Sequence, residues 1–175
     1  QRGGAVYAQV WRDAAHAARE AELAIILGTD HQGSPGLLTL TRQNYATPWG
    51  SLPTDVEATE AVVDAVGEEE AFAEELHHRT EHSIELAAVW LHFVRGGEPL
   101  PIVPVLCGSF GAFVEGEANP ARYEPFQAAV DALRPLMEAR RTLVVAAADL
   151  AHVGPAFGGQ RIVDFIARAQ LQGAD

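Results

Sequence analysis

The chain contains no lysine, and all twelve of its basic residues are arginine. Against 24 acidic residues they leave a formal charge of −12, so the surface repels phosphate backbones and anionic headgroups at long range. Nucleic acid and membrane surfaces are poor partners for such a chain. The preference for arginine over lysine is a compositional trait and says nothing of mechanism. Cysteine is nearly absent too: Cys107 stands alone and cannot form an intrachain disulfide. No charged, apolar and small-residue leader opens the sequence, and the expectation is a reducing, cytoplasmic home. Long apolar runs are missing, since stretches such as Leu23 to Leu27 and Thr142 to Ala148 fall well short of the roughly 20 residues that span a bilayer. There is no nucleotide-binding glycine loop, Ser elbow, zinc-ribbon spacing or His-Glu-x-x-His pair, which removes the commonest phosphate-binding, hydrolase and zincin readings.

What the chain does have is enough apolar material, 48% of 175 residues, for one compact domain over residues 1–175. Ala5 to Ala21 repeats at helical period, and the run Leu23-Ala-Ile-Ile-Leu27 ends at Gly28, as a helix feeding a strand buried on both faces would. Ile102 to Leu106 and Leu143 to Ala148 have the same form. Helical segments are expected between them at about Val56 to Val66, Glu68 to Arg95 in one or two pieces, and Tyr123 to Arg141. Arg42 to Pro53 and Gly108 to Pro120 read as irregular loops. Continuous apolar strands alternating with helices predict an α/β fold, a largely parallel central sheet sandwiched by helices. Ligands of such sheets gather at the carboxyl ends of the strands, so the residues just after each apolar run matter most.

Two runs are followed by an Asp and a His: Gly28-Thr-Asp-His31 and Asp149-Leu-Ala-His152. His31 lies among Gly28, Gly33 and Gly36, which permit tight turns, and an imidazole there can serve as a metal ligand or as an ordinary loop histidine. Asp149 near His152 can fix a tautomer and raise basicity for general-base work, or simply cap the next turn. His82 sits in Glu81-His-Ser-Ile-Glu85, where Glu85 would share a helical face with it and orient the ring. The same residues also read as a helix start capped by Thr80 or Ser83. His77 and His78 fall in a charged stretch and read first as a solvated helix face, with metal binding as the minor alternative. His16 and His92 look structural, and Cys107 reads as a small buried strand residue.

Taken together, Ile26-Leu-Gly-Thr-Asp-His31, Ala46-Thr-Pro-Trp-Gly50 with Leu52-Pro-Thr-Asp55, Glu81-His-Ser-Ile-Glu85, Ile102-Val-Pro-Val-Leu106 with Gly108, and Ala148-Asp-Leu-Ala-His-Val-Gly154 resemble the Memo-like family (AmmeMemoRadiSam system protein B). That family accompanies a radical-SAM protein and an AMMECR-type partner in many prokaryotes. The five segments run in family order across nearly the whole chain.

The resemblance implies a fold similar to the class III extradiol dioxygenases, which use non-haem Fe(II). It implies that His31 is a metal ligand, that His152 is the acid/base histidine, and that Asp149 and His82 line the same pocket. It further implies a Pro-His ligand ahead of Gln1 and a Cys ligand after Asp175, so the domain is expected to be incomplete at both ends. Cys107 does not match that Cys. The implied cofactor is non-haem Fe(II), with copper as the alternative, and the implied chemistry is redox or dioxygenase-like action on a small molecule. The competing expectation is a non-enzymatic module that uses the cleft to hold a peptide or partner protein.

Overall fold

The computed structural model describes residues 4–149, 153–155, 158–160 and 162–172. Seven helices are defined among them: α1 (Gly4–Glu20), α2 (Val56–Val66), α3 (Glu68–Phe72), α4 (Ser83–Val94), α5 (Gly111–Val114), α6 (Glu124–Ala139) and α7 (Phe165–Gln172). The strands are β1 (Leu23–Thr29), β2 (Leu38–Leu40), β3 (Tyr45–Thr47), β4 (Gly50–Leu52), β5 (Ile102–Cys107) and β6 (Thr142–Ala147). Four strands form the central sheet in the order β2-β5-β1-β6. The pairs β1–β5 and β1–β6 are parallel and β2–β5 is antiparallel.

Successive side chains of a strand point to opposite faces, and the core divides accordingly. Ala24 and Ile26 of β1, with Ile102 and Leu106 of β5, pack against Trp11 and Ala18 of α1 and Ile84, Ala87 and Leu91 of α4. Leu23 and Ile25, with Val103 and Val105, pack against Ala58 and Val62 of α2 and Ala129 and Leu133 of α6. Helices thus cover both faces, which is why β1 and β5 read as unbroken apolar runs rather than alternating ones. Full burial of a side chain such as Ile26 contributes about 2 kcal/mol.

Pro104 sits inside β5 without a backbone donor. The N–H of Ile102 goes to Pro53 O and its C=O to Asp55 N, on the side away from β1. By alternation Pro104 faces that same side, in the gap before β2 begins pairing at Val105. No ladder bond is lost there.

The structure corrects three sequence expectations. Arg42 to Pro53 is not irregular: β3 and β4 form a hairpin, turned by Trp49 N–H donating to Thr47 Oγ1 and by Gly50 at φ 131°. Strands of three residues carry too little alternation to be recognised in sequence. The Gly108 to Pro120 stretch contains α5, held by an aromatic group of Phe110, Phe113, Tyr123 and Phe126. The Glu68 to Arg95 region breaks into three pieces, α3, a 3₁₀ turn over Glu75–Arg79 and α4. No described helix is long and apolar enough to cross a membrane.

Candidate metal centre

Parallel pairing sets the site. Gly28 of β1 lies in register with Ala147 of β6, so the chain leaves both strands at one sheet edge, carrying Asp30 and His31 from the first and Asp149 from the second. One residue separates the end of each strand from its functional side chain, Asp30 before His31 and Ala148 before Asp149. The third contributor, α4, starts against the same edge because Ser83 Oγ donates to Thr29 O at 2.8 Å. That approach requires glycine at position 28, where a Cβ would stand 2.5 Å from both Ile84 Cγ1 and Ser83 Oγ.

Glu81 organises the centre. Its side chain is 7% exposed and sits just ahead of α4. Oε1 accepts the N–H groups of His82 (2.7 Å) and Ser83 (3.2 Å), while Oε2 accepts the N–H of His31 at 3.0 Å. The two imidazoles complete the arrangement, with His31 Nδ1 2.8 Å from Oε2 and His82 Nδ1 2.9 Å from Oε1. Burial alone would raise the Glu81 pKa, but these donors outweigh it and hold the carboxyl at about 2. The positive end of α4 acts in the same direction.

On its far side His31 places Nε2 2.7 Å from Asp149 Oδ2. Carboxylates accept only, so a ring flanked by two of them binds both as the imidazolium. Its pKa is raised, chiefly by the hydrogen bond to Glu81 and next by that to Asp149. The His31 and His82 rings stack at 5.2 Å between centroids.

The structure therefore brings His31, His82 and Asp149 together, while His152 lies outside the described residues. It corrects one assignment: the carboxylate on His82 is Glu81, not Glu85. His82 is the N-cap of α4 with no side-chain cap bond, so helical spacing does not reach it, and Glu81 takes over the capping expected of Thr80 or Ser83. His77 and His78 are not a solvated face either. His77 bonds the buried Asp30 at 2.8 Å. His78 donates from Nε2 to Thr39 O and accepts the Tyr45 hydroxyl at Nδ1, and burial lowers its pKa. His92 is buried between Thr47 and Gly97, and His16 is exposed on α1.

His31, Glu81 and His82 can each offer one ligand atom, and these atoms lie within 4.8 Å of one another. The resemblance supplied His31 alone as a ligand from this set. Two imidazoles and a carboxylate match a common donor set of mononuclear non-haem iron, so the residues present fit such an ion. Cys107 belongs to neither candidate donor group among the described residues. It is buried in β5, which pushes its thiol up to about 11.

Known proteins identify the family of the chain. A MEMO1 family protein of Thermococcus onnurineus is 30% identical over 152 residues, covering 85% of this chain and 47% of that protein. One from Methanopyrus kandleri is 32% identical over 137 residues (77% and 44%), and one from Pyrococcus furiosus 28% over 152 residues (85% and 47%). The chain thus spans less than half the length of each of these relatives. The family model described as Memo-like protein matches residues 1–172, and the chain belongs to that family.

Proposed function

We propose that this chain supplies much of a non-haem metal site, with Fe(II) the resident ion and copper the alternative, on a scaffold of the class III extradiol dioxygenase kind. The observation that carries the reading is the convergence of His31, Glu81 and His82 within ligand range. The imidazole and carboxylate donors supplied by His31, His82 and Glu81 suit Fe(II) better than Cu(I). Bound iron would supply one-electron redox chemistry and an affinity for dioxygen, consistent with redox or dioxygenase-like action on a small molecule.

The protein's own part is positional. Asp149 at Nε2 fixes one ring nitrogen of His31, so that loss of the Nδ1 proton would make Nδ1 the ligating atom, the usual way an outer carboxylate sets the tautomer of a ligand histidine. Glu81 holds His82 stacked on that ring. His152, three residues after Asp149, is assigned the movement of protons between substrate and solvent.

Anaerobic reconstitution with Fe(II), elemental analysis and O₂ uptake with catechols test the proposal. His31→Ala should weaken the metal, whereas His152→Ala should keep it and lower any turnover by about 10²- to 10⁴-fold. Equal loss of metal in both variants would overturn the assignment of roles. A protein that takes up no iron or copper would instead favour a peptide- or partner-binding cleft.

A further inference from the structure

A second donor group stands on the other side of the same loop and has no part in the chemistry above. Asp30 Oδ2 lies 2.8 Å from His77 Nδ1, and Glu74 Oε2 lies 3.8 Å from that same nitrogen. One ligand atom from each of the three falls within 4.8 Å of the others. The side chains are 2% (Asp30), 20% (Glu74) and 27% (His77) exposed. The loop closes tightly over Asp30, since a Cβ at Gly33 would lie 2.7 Å from its carboxylate. Gln32 N–H donates to Asp30 Oδ1, and Ser34 donates to Glu74 through both N–H and hydroxyl. The carboxylates are thereby held in place, yet their charge is not cancelled.

Two carboxylates carry a formal charge of −2, and an imidazolium offers at most +1. Among the described residues, His77 is the only basic side chain within 4 Å of either carboxylate. The single Nδ1–H serves Asp30 and leaves Glu74 beyond hydrogen-bond range. The His77 pKa is raised, chiefly by the bond to Asp30, as expected where negative charge exceeds positive. Sequestered negative charge without an equal partner is costly, and a divalent ion facing all three side chains would remove the imbalance.

We propose that Asp30, Glu74 and His77 form a second divalent-cation site, independent of the His31 centre. Two carboxylates and one imidazole select a hard or borderline ion such as Mn(II) or Zn(II) and disfavour Cu(I). Three protein ligands leave further positions for water. Because Asp30 and His31 are consecutive, an ion here pins the loop that presents His31.

Mn(II) titration of chelator-treated protein, followed by the loss of the free-ion EPR signal, tests this on the chain as it stands. His31→Ala should still bind one equivalent of Mn(II) and should melt at a higher temperature with the ion than without it. That equivalent should vanish in His31→Ala/His77→Gln and in His31→Ala/Glu74→Gln, with far-UV circular dichroism unchanged. The inference is overturned if His31→Ala binds no Mn(II), or if either double variant binds it as well as His31→Ala does. A wild-type protein whose only Mn(II) survives His31→Ala and is lost in His77→Gln would leave the second centre standing, while the first is decided separately by Fe(II) reconstitution.

Discussion

His31 and His82 stack with their rings 17° from parallel, and a single carboxylate, Glu81, meets Nδ1 of each. The pair is therefore set by one residue that the helix start itself holds in place. Glu81→Ala should cost both histidines their position and weaken Fe(II) by at least about tenfold, the scale of losing a ligand or its orienting partner. Glu81→Gln should keep the stacking but lose most of the metal. Anaerobic Fe(II) titrations measure both losses. Equal wild-type affinity in both variants would show that Glu81 is not a ligand.

The depressed Glu81 pKa predicts a specific acid limb. A carboxyl at about 2 in the folded chain against roughly 4.3 unfolded adds stability above the unfolded value. That stability is lost as pH falls through about 2. The contribution is on the order of 3 kcal/mol. Urea unfolding between pH 5 and 2.5 should show a shallower loss of stability in Glu81→Gln than in wild type. His31 has the opposite sign: its raised pKa stabilises at low pH and the gain disappears as pH rises through the folded value.

Gly28→Ala should destabilise without replacing any donor side chain of the site. The added methyl meets Ile84 Cγ1 and Ser83 Oγ at 2.5 Å, and relief would push α4 off the sheet edge. Overpacking of this kind costs about 1–3 kcal/mol. A lower midpoint in urea with weakened metal binding is expected; an unchanged midpoint would mean that the helix start yields freely.

Cys107 should resist thiol reagents in the native protein. It is 9% exposed with its thiol at about 11, so at pH 8 only about one molecule in a thousand carries the thiolate. Labelling should appear with unfolding and follow the same denaturant midpoint. Prompt labelling of the folded chain would contradict the burial.

Strands β1 and β5 were legible because burial on both faces leaves an apolar run in the sequence, as in Leu23 to Leu27; β6 carries a similar run although it is only partly buried. The placement of His31 and Asp149 near one edge was legible for a related reason, since parallel neighbours end together. Glu81 escaped because spacing arguments on a helix point to Glu85, and only the cap geometry shows that the helix begins after His82. Asp30 and His77 escaped for another reason. The pairing joins residues 47 apart in sequence, and the charges flanking His77 describe its local chain and not the loop that packs on it. The hairpin of β3 and β4 was too short to carry a pattern.

The shared register of β1 and β6 makes the short spacer after each strand a ruler. Asp149 reaches His31 because Ala148 alone separates it from the last paired residue, Ala147. One residue inserted between Ala147 and Asp149 would advance the carboxylate by about 3.3 Å and turn it toward the opposite face, breaking the 2.7 Å contact. The same insertion in the turn between α6 and β6 would strain the bonds of Arg140 to Asp55 and of Arg141 to Glu20 and Glu22, at the opposite end of the strand from the donor side chains. A length change is thus felt differently at the two ends of β6: as stability where the chain enters the strand, and as loss of the site in the two residues by which it leaves.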